Sequence, residues 1–202
     1  EAVIAALQEH PASADVQELA CAALCNLASN GSDNQLRIGE KGGIEAVVGA
    51  MKEHGASARA QDLGILVLVI LALTEDNRVK IGEKGGIETV IGAMMEHEAS
   101  VGVQEQGCVA LQNLALNADN CVKIGEQGGI EAVLGAMTKH RASADMQEQA
   151  CAALRKLAAT NENRLKIGAQ GGIAGVRLAL QTHAARSGLE AQGRALLHAL
   201  QG

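Results

Sequence analysis

The amino-acid sequence predicts an all-helical solenoid, a single array in which similar helical units stack one on another. A Gly-Gly-Ile triplet recurs every 43 residues, and its four copies begin at Gly42, Gly85, Gly128 and Gly171. An asparagine column and a histidine column keep the same step, with members at Asn34, Asn77, Asn120 and Asn163 and at His54, His97, His140 and His183. A fixed period of this length indicates stacked helical repeats, because each unit buries its apolar face against its neighbours.

This spacing divides the 202-residue chain into five units of one continuous domain. The predicted boundaries are about 1–41 for a partial first unit, then 42–84, 85–127 and 128–170, and 171–202 for a last unit that is incomplete at its C-terminus. The connections between apolar segments are short, and no low-complexity tract or block of like charge interrupts the array. We therefore expect one stack rather than two domains joined by a linker.

The helices of a unit can be placed in chain order from their apolar spacing. In the opening segment, Val3, Ile4 and Leu7 follow helical spacing, which predicts a helix over the first ten residues. The segment 16–28 carries one wide apolar stripe and is predicted to form a longer helix. After a polar loop, Asn34 is expected to cap a short helix that ends before the first Gly-Gly pair.

A Gly-Gly pair ends each short helix, since two glycines permit positive φ and a sharp change of direction. Ile44 then starts a second helix that ends near His54, and a longer third helix follows. Each full unit is thus a short first helix, a Gly-Gly turn, a second helix and a third helix. The later third helices are predicted near residues 59–74, 101–116, 145–159 and 189–200.

The composition narrows the classes of function. The chain contains no Phe, Tyr or Trp, so base stacking and aromatic cages are excluded. Its net charge of −6 argues against a nucleic-acid partner and against an anionic membrane surface. The longest apolar run, from Ile65 to Leu73, is far too short to span a bilayer. Five cysteines form an odd set without disulfide-framework spacing, which predicts an intracellular protein of the cytoplasm or nucleus.

No residue pattern predicts catalysis or a cofactor. No nucleophile–base set or carboxylate pair stands out, so we do not expect an enzyme. The histidine column ends the second helices, where the helix dipole favours a protonated imidazole. Stacked helices lie roughly 8–10 Å apart, whereas zinc holds its histidine nitrogens at about 2 Å, so no metal site is expected. Cys21, Cys108 and Cys151 share a column at the edge of the apolar stripe and are interpreted as small buried hydrophobic residues.

The recurring pattern resembles an armadillo repeat. The resemblance rests on the Gly-Gly-Ile triplet with its apolar helix and on Val-Gln-Glu-Leu-Ala-Cys-Ala-Ala-Leu-Cys-Asn-Leu-Ala at 16–28. The segments 103–115 and 146–158 fit the same pattern, so the resemblance covers the whole chain. HEAT repeats are the alternative, but they lack this Gly-Gly turn after a short first helix. The resemblance implies a right-handed α-α superhelix of three-helix repeats.

Armadillo proteins bind extended peptides along a concave groove of third helices, and the resemblance implies such a groove here. Asn26 and Asn113 match the asparagine whose amide pairs with the ligand backbone; the alternative is family consensus retained on a solvated face. The tryptophan that nuclear-import members carry one turn earlier is missing, which argues against binding of classical nuclear-localisation signals. The predicted groove residues are Leu19, Ala22, Asn26, Leu63, Leu66, Ile70, Gln106, Val109, Asn113, Gln149 and Lys156.

The second unit presents an apolar face within this groove. A helical wheel places Leu63, Leu66 and Ile70 on one narrow face with Arg59, opposite the core stripe. An exposed apolar face on a soluble protein usually marks an interaction site. The alternative is that neighbouring helices close over it.

Two functions remain open on the sequence. The first is a non-enzymatic scaffold that binds a peptide or segment of a partner protein. The second is a structural or engineered repeat array with no dedicated ligand. The truncated first unit also predicts weak self-association through the N-terminal end, because some of its apolar residues would lack cover. Those residues are Val3, Ile4, Leu7, Leu24 and Leu27.

Overall fold

The computed structural model describes residues 1–201, and within this range the chain forms fourteen α-helices and no β-strand. This confirms the all-helical prediction. In chain order the helices are α1 (Ala2–Glu9), α2 (Ala14–Ala28), α3 (Ser32–Glu40), α4 (Gly43–Glu53), α5 (Ala58–Leu71), α6 (Glu75–Glu83), α7 (Gly86–Glu96), α8 (Val101–Leu114), α9 (Ala118–Glu126), α10 (Gly129–Lys139), α11 (Ala144–Leu157), α12 (Asn161–Ala169), α13 (Gly172–Thr182) and α14 (Ser187–Ala199). No helix in this range is both long and apolar enough to cross a membrane.

From α3 onward the helices recur as triplets of a first, a second and a third helix. The second helices α4, α7, α10 and α13 keep the 43-residue step and begin at Gly43, Gly86, Gly129 and Gly172. The third helices lie close to their predicted bounds, although α5 ends at Leu71 rather than Thr74. It ends early because the N–H groups of Leu73 and Thr74 turn back to carbonyls three residues before them. The unit boundaries stay a proposed description of these triplets.

The Gly-Gly turn needs its two glycines for different reasons. Gly42 lies in the left-handed region at φ 81° and is the N-cap of α4. Gly43 is approached so closely by Ile38 that an added Cβ would lie 2.4 Å from the Ile38 Cγ2 atom. The first glycine therefore supplies a backbone conformation and the second supplies space, which together give the predicted change of direction.

Asn34 does not cap the first short helix, so that expectation is wrong. α3 begins before it, and Gly31 is the N-cap at φ 127°. The Nδ2 atom of Asn34 instead donates to the Leu27 carbonyl at 2.9 Å. The capping position lies three residues ahead of the asparagine column, as in α9, where the Asn117 side chain accepts from the Asn120 N–H at 3.0 Å.

The later members of the asparagine column hold successive units together. Asn120 is buried, and its Nδ2 atom donates to the Arg78 carbonyl of the preceding first helix at 2.8 Å. Its Oδ1 atom fills the space beside Gly82, where an added Cβ would lie 1.8 Å from it. The same contacts recur for Asn77 with the Gln35 carbonyl and Gly39, and for Asn163 with the Cys121 carbonyl and Gly125.

A glutamine column, which the sequence analysis did not identify, joins the third helix of each unit to the end of its second helix. Gln104 is buried, and its Nε2 atom donates to the Met94 carbonyl at 2.7 Å and to the His97 carbonyl at 3.1 Å. These carbonyls lie at the C-terminal end of α7, where a helix leaves its acceptors unpaired. The same pair of bonds is made by Gln17, Gln61 and Gln147.

The histidine column forms a further ladder between units. His97 follows α7 as its C-cap, as the sequence predicts, and its Nε2 atom lies 2.6 Å from the Gly55 carbonyl oxygen. A carbonyl oxygen only accepts, so this nitrogen carries the proton. His54, His140 and His183 make the same bond to the carbonyls of Pro11, Glu98 and Arg141. Across residues 1–201, no three His, Cys, Asp or Glu side chains gather as metal ligands.

The N-terminal end is better covered than the sequence suggests. Ile4, Leu7 and Leu24 are buried, because α1 packs against both α2 and α4. Val3 is half-buried, and Leu27 at 44% exposure keeps the largest open surface of the five. The bare apolar surface is therefore smaller than expected, and self-association through this end stays a prediction with Leu27 as its main support.

Candidate functional site

The third helices form one continuous row along the chain. The helices α2, α5, α8, α11 and α14 stack side by side, and each makes its most extensive contacts with its neighbours in the row. One stripe of each third helix packs onto its second helix, as α5 does on α4 and α8 on α7. The opposite stripes therefore line a common surface, the third-helix face. We define this face by the eleven predicted groove residues, none of which is fully buried: Leu19, Ala22, Asn26, Leu63, Leu66, Ile70, Gln106, Val109, Asn113, Gln149 and Lys156.

The first half of the third-helix face is apolar. Leu19 on α2 is 72% exposed, and Leu63, its counterpart on α5, is half-buried. Leu66 and Ile70 are also half-buried and lie further along α5, while Ala22 is half-buried on α2. Neighbouring helices thus cover the stripe only in part. Leu19, Leu63, Leu66 and Ile70 together form what we call the apolar patch.

The two asparagines of the third-helix face differ in their surroundings. Asn26 is exposed, and its side chain makes no hydrogen bond to any residue in the range 1–201. Asn113 is half-buried, and its Nδ2 atom donates to the Val69 carbonyl of α5 at 3.3 Å. The amide of Asn26 is therefore free to pair with a ligand, whereas the amide of Asn113 is already partly engaged.

The second half of the third-helix face is polar. Gln106 and Val109 on α8 are half-buried, as are Gln149 and Lys156 on α11. Among residues 1–201 no carboxylate lies within ion-pair distance of Lys156. The face therefore changes from leucine-rich at α2 and α5 to amide-rich and cationic at α11.

A column of carboxylates that the sequence analysis did not identify borders this face. It stands one residue before the Leu19 column, and its members are Glu18, Asp62, Glu105 and Glu148. Glu18 accepts from Arg59 Nε at 2.7 Å, and Glu148 accepts from Arg186 Nε at 3.0 Å. Burial raises the pKa of the Asp62 carboxyl, with the nearby charge of Arg59 acting in the opposite direction. These acids follow one another at steps of 44, 43 and 43 residues, close to the repeat period, and this spacing is the signal that could have found the column.

A separate cavity lies between the second helices, away from the third-helix face. It has a volume of about 860 Å³ and opens between α7 and α10. Met94, Met95, Leu134 and Gly135 lie along it, with Glu98 among its polar neighbours. None of the eleven predicted groove residues lines this cavity, so it offers positions for control variants.

The five cysteines are free thiols and all are buried, as the sequence predicts for Cys21, Cys108 and Cys151. Burial raises the pKa of the Cys21 and Cys151 thiols to about 12 and that of Cys25 to about 11. Burial also raises the pKa of the Cys108 and Cys121 thiols. Thiols held protonated in this way are poor nucleophiles and poor metal ligands.

We expect the native chain to react slowly with Ellman's reagent at pH 8 and all five thiols to react after unfolding.

The thiol pKa values of the folded state lie above the unfolded value of about 8.5, so below that pH the thiols do not reduce the free energy of unfolding. Stability should then fall as the pH rises from about 9 towards 12, because the unfolded chain releases these protons first. Melting temperatures between pH 7 and pH 11 test this, with Cys151→Ser as the variant that flattens the curve. Rapid reaction of the native thiols with Ellman's reagent would contradict the raised thiol pKa values.

Comparison with known proteins agrees with this geometry. Residues 1–197 match the family model described as the GAC ARM domain. A designed armadillo repeat protein is similar with a TM-score of 0.85 and 22% identity, over 98% of this chain and 80% of that chain. An engineered protein from a structural genomics consortium gives a TM-score of 0.85 and 21% identity, over 98% of this chain and 78% of its own. No curated protein sequence matches.

A more distant similarity is to a structure from a study of a phosphorylation switch that controls the interaction between cadherin and β-catenin. Its TM-score is 0.59 at 13% identity, over 99% of this chain and 53% of that chain. At such identities the solved structures show the fold alone, which is the predicted armadillo-type α-α solenoid. The family model spans nearly the whole sequence. The chain therefore belongs to the GAC ARM domain family.

Proposed function

We propose that this protein is a non-enzymatic interaction scaffold that binds a peptide or an extended segment of a partner protein along the third-helix face. The observation that carries the proposal is the apolar patch, in which Leu19 is 72% exposed. A ligand with aliphatic side chains would remove this surface from water, which favours binding. Membership of an armadillo-type family supports protein binding in general.

The polar groups beside the apolar patch suit an extended backbone. A strand-like segment carries unpaired N–H and C=O groups, and an asparagine amide can pair with both. The side chain of Asn26 is exposed and free for this purpose. On α8, the Asn113 Nδ2 atom is used by the Val69 carbonyl, which leaves its Oδ1 atom as the acceptor for a ligand N–H. These bonds would fix the direction of the ligand, while the apolar patch supplies affinity.

Two further parts of the proposal follow from the buried thiols. Because the cysteines are buried and burial raises their thiol pKa, they do not serve as catalytic nucleophiles in this proposal. Free thiols without disulfide partners also suit a reducing compartment, so we place the protein inside the cell.

Leu66→Asp tests the proposal, because it places a charge in the centre of the apolar patch. We expect at least a tenfold loss of affinity for a fluorescein-labelled peptide selected from a random twelve-residue library, since burying an unpaired charge costs several kcal/mol. Fluorescence anisotropy measures the loss. Met95→Asp is the control, because Met95 is 50% exposed and lies at the cavity between α7 and α10. Equal losses in the two variants would contradict the proposed surface.

The alternative is a structural array with no dedicated ligand. The regular asparagine, glutamine and histidine ladders of this chain favour the alternative, because their hydrogen bonds stabilise the stack without any partner. Under this alternative the peptide library yields no binder that depends on Leu66. The same screen therefore separates the two functions.

A further inference from the structure

Asp62 belongs to the same stripe of α5 as the apolar patch. Asp62, Leu66 and Ile70 are four residues apart in sequence, so they lie one above another on one side of the helix. A rise of 1.5 Å per residue places Asp62 and Ile70 about 12 Å apart along the axis. A carboxylate thus stands at one border of the apolar patch, with aliphatic side chains in the middle and at the other border.

Within residues 1–201 this carboxylate has none of the partners that the other three acids of its column have. Glu105 accepts from the Ser143 hydroxyl at 3.3 Å. Glu18 pairs with Arg59, and Glu148 pairs with Arg186, each arginine coming from the start of the next third helix. At the start of α8 the column of Arg59 is occupied by Gly102, where an added Cβ would lie 3.2 Å from the Asp62 Oδ1 atom. That oxygen is buried and has no hydrogen-bond partner within residues 1–201. A buried acceptor without a partner is costly, so a ligand donor towards which this half-buried carboxyl turned outward would relieve it.

We infer that the segment bound on the third-helix face carries a cationic side chain, arginine or lysine, that pairs with Asp62 while a neighbouring aliphatic side chain covers Ile70. This inference rests on the proposed function and states the chemistry of its ligand. Arginine fits best, because its guanidinium is always charged and its fork of N–H donors matches a carboxylate. The missing side chain at Gly102, which is exposed, leaves room for the guanidinium.

The geometry also predicts a sequence pattern for the ligand. A segment that runs along the row of third helices crosses α5 near Leu66, midway between Asp62 and Ile70. Successive side chains of an extended segment point to opposite sides. One residue would then reach Asp62 and the next would reach Ile70. The ligand should therefore have its cationic residue directly beside an aliphatic one.

The inference can be tested with three fluorescein-labelled twelve-residue peptides that differ only at one central position, which is Arg, Gln or Glu between two leucines. We expect the Arg peptide to bind the native chain about tenfold more tightly than the Glu peptide, as a charge-assisted hydrogen bond allows. Asp62→Asn should bring the three affinities to within about twofold. Asp62→Arg should reverse the order and favour the Glu peptide. Glu126→Gln is the control, because it changes the net charge equally on an exposed residue of α9.

The outcomes distinguish this inference from the proposed function. Equal affinity for the three peptides, lost in Leu66→Asp, would overturn the cation requirement and leave the binding surface intact. An Arg preference that persists in Asp62→Asn would also overturn it. Peptide binding unchanged by Leu66→Asp would overturn both the cation requirement and the proposed binding surface. The same holds if none of the three peptides binds. Melting curves of the Asp62 variants within a few degrees of the native chain show that the fold is retained.

Discussion

Gly82→Ala is expected to lower the free energy of unfolding by roughly 3–5 kcal/mol, combining overpacking with a lost buried hydrogen bond. The added Cβ would lie 1.8 Å from the Oδ1 atom of Asn120, so the amide must leave its place. Its bond to the Arg78 carbonyl, 2.8 Å long, would break as it moved. Urea unfolding followed by far-UV circular dichroism measures the change.

The chain supplies its own control at the end of the same column. Gly168 is the counterpart of Gly82 in α12, and an added Cβ there meets no atom within 4 Å. Gly168→Ala should therefore be neutral or stabilise by up to about 1 kcal/mol, since alanine is the better helix former. A double variant, Gly82→Ala with Asn120→Ala, should cost less than the sum of the single changes because the clash is gone. Equal stability of Gly82→Ala and Gly168→Ala would contradict the role of the asparagine ladder.

Gln104→Met is expected to cost about 2–4 kcal/mol, although the two side chains are similar in size. The change removes the Nε2 donor shared by the Met94 and His97 carbonyls, at 2.7 Å and 3.1 Å. Both carbonyls would then remain at the end of α7 without that partner, beside a buried side chain. The loss appears as a lower urea midpoint.

Gln112→Met provides the matched comparison on the same helix. Gln112 is half-buried, and its side chain forms no hydrogen bond with the part of the chain that the structure describes. Its replacement should change stability by less than about 0.5 kcal/mol, as for most surface positions. If the two methionine variants were equally stable, the glutamine column would not stabilise the contact between second and third helices as we describe.

The sequence predicts the helices well because their signals are local. The Gly42-Gly43 pair carries both a positive φ and a close approach by Ile38, so the turn is encoded within six residues. Apolar spacing likewise placed the third helices within a turn of their bounds. The role of Asn77 could not be read in this way, because its amide bonds to the Gln35 carbonyl, 42 residues earlier. A constant period shows that units stack, but it does not show which atoms meet.

The candidate site was accessible to sequence analysis only in part. The helical wheel brings Leu63, Leu66 and Ile70 to one stripe, and all three are half-buried there. The wheel does not reveal how far the neighbouring helices cover them. Asp62 shows the same limit more sharply, because its Oδ1 atom is buried without a hydrogen-bond partner in residues 1–201, whereas the Glu18 carboxylate accepts from Arg59. That difference depends on packing between units.

Methyl NMR on the complex with a library-selected peptide tests the central claim most directly, because the third-helix face is rich in labelled side chains. We predict that binding shifts the methyl signals of Leu19, Leu63, Leu66 and Ile70, while those of Leu134 and Leu178, on the second helices α10 and α13, stay in place. Shifts confined to the second helices, with the signals of the apolar patch unchanged, would contradict the account.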